Sequence, residues 1–302
     1  MNKLTNMFLS FWHRLKPWVN PLQIIQAFTA SIVLGIISFL PPRSASNIGS
    51  ALACTFGPLL HWHKRGMSNL LYIYPDMPEK ERRKLMHGVW DNLGRTMGEF
   101  ACIKKLGPKI TVIGLEHLPP AGTPIIFVTA HIANWEALSW FSNLCGRQVM
   151  DVYRKPNNVY FDKLLKFRSY GLPVKFIEKN DRSGINILRE LRSGGAVNLF
   201  VDQKGSNGDY LLPFMGKNAL TIRAPALLSA KTGAIVIPGR MIRKDSHELQ
   251  IKLYPPLSSI EKSDPDSEQK FMEEINNIVS GWIKDTPEQW LWIHRRWKNA
   301  NN

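Results

Sequence analysis

The chain has 302 residues, three cysteines and a formal net charge of +15 at pH 7. Its length is sufficient for one large hydrophobic core with an N-terminal appendage. Cys54, Cys102 and Cys145 are too few and too widely separated for a disulfide framework, which excludes a small disulfide-stapled secreted domain. We therefore expect the globular part to face a reducing, cytoplasmic environment.

The positive charge is unevenly distributed, because no Asp or Glu precedes Asp76. The basic residues of this first quarter include Lys3, Arg14, Lys16, Arg43, Lys64 and Arg65. A cationic segment attracts anionic lipid head groups, acidic proteins or nucleic acid. Nucleic acid is disfavoured as a partner, because the basic residues are dispersed and the sequence contains no nucleic-acid-binding motif.

Tryptophans lie near both ends of the chain. Trp12, Trp18 and Trp62 flank an apolar N-terminal stretch, and four others lie close to basic residues near the C-terminus: Trp282, Trp290, Trp292 and Trp297. Aromatic and basic side chains together are typical of a membrane interface. The alternative is that these tryptophans belong to the protein core.

The stretch from Leu22 to Leu40 has 19 residues without a charged side chain and is followed by two prolines. As a helix it would be about 28 Å long, close to the roughly 30 Å of a bilayer's hydrocarbon layer. We predict an uncleaved membrane anchor at residues 1–43. A signal peptide is the alternative, but small-residue cleavage signals are weak near Ser44. Basic residues on both sides leave two arrangements open, a helix that spans the membrane and a helix that lies in one leaflet.

The remainder, residues 44–302, is predicted to be one catalytic domain of the α/β class. An amphipathic helix should start after Pro78, and a second helical apolar stripe runs from Phe271 to Ile283. Short apolar runs between these helices predict strands at Ile110–Ile113, Ile125–Val128, Val149–Val152, Val174–Ile177, Val197–Val201, Ala234–Pro238 and Leu249–Leu253. Helical patterns between most of them predict a mainly parallel central sheet flanked by helices, with its chemistry at the carboxyl ends of the strands.

His131 and Glu136 follow one of these strands directly. Residues five apart on a regular helix are rotated by about 140°, so the chain must change conformation between them if the side chains are to meet. With a strand ending at Ala130 and a helix starting near Ala133, the Glu136 carboxylate would hold one imidazole nitrogen and leave the other as a base for a hydroxyl group. No seryl intermediate is expected, because the sequence has no G-x-S-x-G elbow. A chance pairing at a strand end is the alternative.

The spacing of His131 and Glu136 is the H-x4-D/E signature of glycerolipid-type acyltransferases, and it does not stand alone. It is one of a series of ordered blocks: Arg65–Leu70, Tyr74-Pro75, Gly114–Leu118, Thr129–Glu136, Tyr153–Asn158, Val201–Gln203, Leu212–Gly216 and Pro287–Lys298. Taken together, these blocks resemble the bacterial lipid A biosynthesis lauroyl/myristoyl acyltransferase family, within the lysophospholipid acyltransferase superfamily. The resemblance covers nearly the whole chain.

This resemblance implies a late acyltransferase of the bacterial inner membrane whose catalytic domain has a glycerolipid acyltransferase-like fold and faces the cytoplasm. It implies transfer of a fatty acyl chain from acyl carrier protein to a hydroxyl of an acyl chain on a lipid A precursor, which forms an acyloxyacyl ester. The implied partners are acyl carrier protein, the lipid A precursor and membrane lipids, with no cofactor. His131 takes the position of the general base, and Glu136 that of the acid that orients it.

Two further residues are candidates for substrate binding from their own chemistry. Arg154 follows a predicted strand and can hold a phosphate or carboxylate with two hydrogen bonds, although a surface ion pair is the plain alternative. Asp202 follows the predicted strand Val197–Val201. Its alternative is structural, either capping a loop or pairing with Arg154 or Arg223.

The resemblance also assigns Gln203, Phe214 and Gly216 to the acceptor-side motif region of the superfamily, where shape and backbone access are expected to matter most. We predict no metal site. His61 and His63 are the nearest approach to a zinc-binding pair, but no partner ligands lie near them in the sequence.

Two alternative functions remain open at this stage. One is an acyltransferase that uses acyl-CoA or acyl carrier protein to acylate a lysophospholipid or another glycolipid. The other is a non-catalytic membrane-bound binding protein with the same fold, whose signature would be the loss of His131 or Glu136, and both residues are present. The length of the acyl chain depends on the depth of an apolar pocket whose floor the sequence does not identify.

Overall fold

The computed structural model describes residues 21–153, 155, 156, 158, 160–162, 174–179, 183–206, 208–260 and 264–297. Trp12, Trp18 and Arg154 lie outside these residues, so their predictions stay untested. Within the described part, the chain begins with five helices: α1 (Pro21–Phe39), α2 (Pro42–Phe56), α3 (His61–Ile73), α4 (Glu79–Ala101) and α5 (Ile103–Leu106).

Helix α1 confirms that the apolar N-terminal stretch is helical. Of its 19 residues, Ala27 alone is buried. Among the described residues it is also the one helix long and apolar enough to cross a membrane. The predicted boundary at residue 43 falls in the first turn of α2, and no observation of the fold tests it.

Helix α2 packs closely across α4 through small residues. A Cβ atom on Gly49 would lie 2.1 Å from the carbonyl oxygen of Gly94, and one on Gly98 would lie 2.1 Å from that of Ala45. The two backbones are therefore in direct contact, a distance that only glycine permits. Helix α4 begins directly after Pro78, as the sequence predicts.

All seven predicted strands are present in one sheet. The strands are β1 (Thr111–Ile113), β2 (Ile125–Thr129), β3 (Val149–Tyr153), β4 (Val174–Glu178), β5 (Ala196–Phe200), β8 (Ile235–Arg243) and β9 (Leu249–Leu253), in the order β1-β9-β8-β2-β5-β3-β4. Every pairing is parallel except that of β8 with β9, which is antiparallel. The predicted α/β class with a mainly parallel sheet flanked by helices is confirmed. All five residues of β2 are buried, so the centre of the core lies at this strand.

A hairpin of β6 (Tyr210–Phe214) and β7 (Lys217–Thr221) was not predicted as strands. Its two turn residues, Met215 and Gly216, both have positive φ angles, 53° and 78°, as a tight hairpin turn requires. The remaining described helices are α6 (Phe141–Leu144), α7 (Ser183–Arg192), α8 (Ala224–Thr232) and α9 (Ser267–Asp285). Phe271, Ile275, Val279 and Ile283 are buried on α9, which confirms the predicted apolar stripe.

The four C-terminal tryptophans belong to the core, so their interpretation as membrane-interface residues is wrong. Trp282, Trp290, Trp292 and Trp297 are each at most 4% exposed. The chain after α9 folds back over the hairpin, where the Trp290 ring lies 4.9 Å from that of Trp292 and 5.8 Å from that of Phe214. Trp290, Trp292 and Trp297 pack against one another in one aromatic cluster, whereas the Trp282 ring stacks on that of Tyr254 at 5.3 Å. Trp62 is 42% exposed and keeps its interfacial interpretation.

Candidate active site

His131 and Asp202 meet at the carboxyl ends of two neighbouring parallel strands. Thr129 at the end of β2 pairs with Phe200 at the end of β5, and the Val201 N–H continues the ladder to the Thr129 oxygen at 2.9 Å. His131 lies two positions after Thr129, and Asp202 lies two positions after Phe200. The register therefore places the Asp202 carboxylate beside the imidazole.

The Asp202 carboxylate contacts His131 through both oxygens. Oδ2 accepts a hydrogen bond from the His131 backbone N–H at 2.9 Å, and Oδ1 lies 2.8 Å from the ring Nδ1. The indole Nε1 of Trp290 donates a third bond to Oδ2 at 2.8 Å. Burial alone would raise the pKa of Asp202, but the positive charge of His131 and these hydrogen bonds outweigh it and lower the pKa to about 2. Asp202 is thus an anion when the protein works near neutral pH.

The opposite ring nitrogen of His131 faces an amide. The Nε2 atom lies 3.3 Å from Nε2 of Gln203. With a proton on Nδ1 directed at Asp202, Nε2 carries a free lone pair that accepts from this amide. The arrangement provides a base whose tautomer is set by a buried carboxylate.

Asp202, and not Glu136, therefore holds the imidazole through a ring nitrogen, which corrects the predicted contact. The segment enters a 3-10 turn at Trp135–Trp140 instead of an α-helix near Ala133. In that turn Glu136 Oε1 accepts a hydrogen bond from the Trp135 indole at 3.2 Å. The register of β2 and β5 brings Asp202 to the ring, and a local sequence pattern does not contain that information. The roles of His131 and Glu136 in catalysis stay predictions.

His131 and Glu136 line one cavity of about 670 Å³. Part of its wall is apolar and comes from β5, α7 and α8, with Ile187, Leu188, Leu199, Leu227 and Leu228 among its residues. Polar side chains of Lys179, Gln203, Asp209 and Lys231 contribute to the same lining. The volume lies in the range of about 300–1,000 Å³ typical of small-molecule sites. The His131 imidazole thus lines a cavity whose wall is partly apolar and partly polar.

The predicted substrate-binding residues occupy different places. Gln203 lines the cavity beside His131. Phe214 is buried in the aromatic cluster, where the Arg296 guanidinium lies 4.4 Å from its ring centre. Gly216 forms the turn of the β6–β7 hairpin. The structure brings Asp202 and Gln203 to His131 and places Phe214 and Gly216 in the supporting hairpin.

Two residues near the site were missed or misinterpreted from the sequence. Trp290 belongs to one of the ordered blocks, yet it serves as a hydrogen-bond donor to Asp202 rather than as an interfacial residue. His294 follows it in the same segment, and its Nε2 accepts a hydrogen bond from the Lys204 backbone N–H at 3.3 Å. Burial, helped by the positive charges of His131, Arg296 and Arg65, lowers the pKa of His294 to about 4 despite the opposing effect of Asp202. The position of Trp290 in a recognisable block was the one available signal.

Comparison with known proteins gives a consistent result. Residues 14–299 match the family described as bacterial lipid A biosynthesis acyltransferase. The chain is 27% identical to the lipid A biosynthesis lauroyltransferase of Escherichia coli over 269 residues, which is 82% of this chain and 84% of that protein. It is 27% identical to the lipid A biosynthesis palmitoleoyltransferase of the same organism over 241 residues, 76% of each chain.

Among solved structures, the chain aligns with the 1-acyl-sn-glycerophosphate acyltransferase from Thermotoga maritima. The TM-score is 0.38 at 16% sequence identity, over 80% of this chain and 98% of that one.

Proposed function

The chain belongs to the bacterial lipid A biosynthesis acyltransferases, and we propose that it transfers a fatty acyl chain from acyl carrier protein to a hydroxyl of an acyl chain on a lipid A precursor. The product would be an acyloxyacyl ester. The observation that carries this proposal is the 2.8 Å contact between His131 Nδ1 and Asp202 Oδ1, beside a partly apolar cavity. It leaves His131 Nε2 as the base for a lipid hydroxyl.

The proposed reaction is a direct transfer. His131 Nε2 accepts the proton of the acceptor hydroxyl as its oxygen attacks the thioester carbonyl of the donor. A carbon–oxygen bond forms, the carbon–sulfur bond breaks, and the proton passes from Nε2 to the departing thiolate. Asp202 holds the Nδ1 proton throughout and stabilises the imidazolium that forms in between.

Glu136 is proposed as a second catalytic residue that acts through charge. It lines the same cavity as His131, and its carboxylate adds negative charge where the imidazolium develops. Gln203, 3.3 Å from His131 Nε2, is proposed to yield its place to the acceptor hydroxyl. Arg154 stays a proposed ligand for phosphate or carboxylate, and Phe214 and Gly216 are proposed to shape the acceptor side through the hairpin.

The donor is proposed to be recognised by charge and by chain burial. Acyl carrier protein is acidic, and a net charge of +15 favours its approach in a salt-dependent manner. The apolar part of the cavity would take the acyl chain, since burial of each methylene contributes about 0.8 kcal/mol. A phosphorylated acceptor fits the same cationic character.

We propose that residues 1–43 anchor the protein in the bacterial inner membrane with the catalytic domain on the cytoplasmic side. Support comes from α1, whose side chains are largely exposed, with Phe39 86% exposed at its end. Exposed apolar residues continue beyond it at Ile48, Leu52, Phe56 and Leu59. With no acidic residue before Asp76, this surface suits an anionic bilayer.

The decisive experiment is a transfer assay with purified full-length protein in lipid or detergent. The donors are lauroyl, myristoyl and palmitoyl thioesters of acyl carrier protein and of coenzyme A, and the acceptors are a phosphorylated tetra-acyl disaccharide and a lysophospholipid. Mass spectrometry should find an acyloxyacyl ester on the disaccharide with the acyl carrier protein donors. Acylation of the lysophospholipid alone, or transfer from coenzyme A alone, would overturn the proposal.

A further inference from the structure

A buried ion pair lies behind the loop that carries His131. The guanidinium of Arg243, at the end of β8, donates to both carboxylate oxygens of Glu99 on α4, at 2.5 and 2.8 Å. Arg243 is 7% exposed and Glu99 is 2% exposed. Removal of two charges from water is expensive, so a buried pair of this kind is weak evidence for a stabilising role. Its neighbours indicate another use.

The pair is connected to the loop through the side chains of α4. Glu99 Oε2 accepts from Asn134 Nδ2 at 2.7 Å. Arg243 Nε donates to Asn92 Oδ1 at 3.0 Å, and Asn92 Nδ2 donates to the Ala133 oxygen at 3.2 Å. The hydroxyl of Thr96 lies 3.0 Å from the same oxygen. Asn92, Thr96 and Glu99 are spaced four and three residues apart, so one face of α4 carries all three.

The loop requires such support because its backbone is strained. Ala133 has a φ angle of 52°, in the left-handed region that side chains other than glycine rarely adopt. Conformations of this kind cost about 1–3 kcal/mol and persist only where the surroundings impose them. Ala133 is fixed on its other side by the bond from its N–H to the Gln289 oxygen at 2.9 Å. This turn decides where the backbone leaves His131.

We propose that Asn92, Thr96, Glu99 and Arg243, the α4–β8 network, position the catalytic base by holding Ala133 and Asn134 in this conformation. The network has no contact of its own with His131 among the bonds described above, so it acts through the loop. It sets the angle at which the imidazole and the backbone N–H of His131 meet the two oxygens of Asp202. The inference rests on the proposed function only in that His131 is taken as the base.

The competing explanation is that the network merely joins α4 to β8 and stabilises the fold. A substitution at Asn134 can distinguish the two explanations, because its side chain makes two separate contacts. Its Nδ2 reaches Glu99, while its Oδ1 caps the following 3-10 turn by accepting from the Ala137 N–H at 3.2 Å. Serine is an equally good cap but is too short to keep both contacts. Asn134→Ser therefore removes the link and keeps the cap, with the Arg243–Glu99 pair intact.

The test compares Asn134→Ser and Thr96→Val with two matched controls. Thr96→Ser keeps the hydroxyl that faces Ala133. Ser142→Ala removes a buried hydroxyl on α6, which accepts a hydrogen bond from the Val149 N–H of β3 at 3.0 Å. The readouts are kcat, the KM for the acyl donor, and the imidazole signals of His131 in nitrogen-15-labelled protein, assigned with His131→Gln. The spectra report the tautomer whether or not the enzyme turns over.

In wild type we expect the His131 ring to be protonated at Nδ1. Asn134→Ser and Thr96→Val should weaken that signature and lower kcat by about 10- to 100-fold with little change in KM, as expected for a misplaced catalytic group. Both controls should keep the wild-type spectrum and kcat. The proposal is overturned if the two test variants fold and retain the wild-type spectrum and kcat, or if Ser142→Ala alters the spectrum equally. A wild type that transfers nothing to the disaccharide would refute the proposed function, while the spectra would still test the network.

Discussion

The carboxylate of Asp202 contacts His131 at two points, the backbone N–H at 2.9 Å and the ring Nδ1 at 2.8 Å. Two contacts fix both the position of the residue and the orientation of its ring. Because Asp202 is buried and its pKa is lowered to about 2, the carboxylate stays charged and acts only as an acceptor. The Nδ1 nitrogen must therefore carry the proton, and Nε2 is left with a lone pair that can accept one.

The first prediction concerns this tautomer. Asp202→Asn keeps the shape of the side chain but can present an N–H to Nδ1, which would move the ring proton to Nε2. We expect kcat to fall by about 10²- to 10⁴-fold, since a base of the wrong tautomer cannot accept the hydroxyl proton. Single-turnover kinetics with an acyl carrier protein thioester measure the loss. Unchanged kcat in a folded Asp202→Asn protein would refute the assignment of Nε2 as the base.

A second prediction separates the two carboxylates. Glu136→Gln removes a charge from the cavity wall, so we expect kcat to fall by about 10²- to 10³-fold, the range for the loss of one electrostatic stabilising group. It should leave the Nδ1 proton signal of His131 in place, because Asp202 supplies that contact. Asp202→Asn should abolish the signal. If Glu136→Gln abolished it instead, Glu136 and not Asp202 would hold the ring nitrogen of His131.

The third prediction tests whether the cavity holds the acyl chain. Ile187 lines the cavity from α7 and is 7% exposed, whereas Ile185 on the same helix is 60% exposed and outside the lining. Ile187→Phe should shorten the available space and favour shorter donors. We expect the ratio of kcat/KM for lauroyl over palmitoyl thioesters to rise by about 10-fold or more, since one methylene is worth about 1–3 kcal/mol in an apolar pocket. Ile185→Phe is the control, and equal effects of both changes would place the chain elsewhere.

A fourth prediction follows from His294, whose pKa is lowered from 6.5 to about 4 mainly by burial. Between these values the unfolded chain binds a proton that the folded protein does not, so the free energy of unfolding falls as the pH falls through this window. If the whole pKa shift acted on stability, the free energy of unfolding would fall by about 3 kcal/mol, and water around the ring reduces this value. His294→Gln keeps an acceptor for the Lys204 N–H and should flatten the dependence of Tm on pH between 6.5 and 4.

The control for this measurement is His87→Gln, which replaces an exposed histidine on α4. Its Tm profile should follow that of wild type. A His294→Gln protein whose Tm still falls as steeply between pH 6.5 and 4 would assign the effect to other groups. Asp202 affects stability in a separate pH range. Its pKa is lowered from 3.8 to about 2, so the stability that its ionised form contributes is lost only as the pH falls from about 3.8 to about 2.

The sequence predicted the sheet well because buried parallel strands are short apolar runs, and each of the seven runs became a strand. The hairpin was harder to recognise. Pro213 lies inside β6, and Met215-Gly216 is not one of the Asn-Gly or Asp-Gly pairs that usually mark a tight turn. The antiparallel pairing of β8 with β9 is also set by tertiary packing, since apolar runs of either direction look alike.

Only part of the site could be predicted from the sequence, because local patterns indicate His131 but tertiary pairing determines its partner. His131 was recognisable from its place after β2 and from the ordered blocks around it. Its partner was not, because Asp202 is 71 positions away and reaches the ring only through the pairing of β2 with β5. Local spacing favoured Glu136, the nearest acid in the chain. The burial of Trp290 could not be predicted from local sequence either, because it depends on how the segment after α9 folds over the hairpin.

The last prediction concerns membrane attachment, to which we expect a surface beyond α1 to contribute as well. Exposed apolar side chains extend past α1 along α2 to Leu59, which is 80% exposed. A protein lacking residues 1–40 should be released by carbonate extraction yet still float with vesicles that contain anionic lipid, because apolar burial and basic charge both remain.

Leu52→Asp with Leu59→Asp in the shortened protein should abolish flotation, since each aspartate adds a negative charge to an apolar contact with an anionic surface. Leu211→Asp, at a similarly exposed leucine on the hairpin, is the matched control and should float as before. Full solubility of the shortened protein without further changes would restrict attachment to α1. Flotation that survives the two aspartates would assign it to another surface.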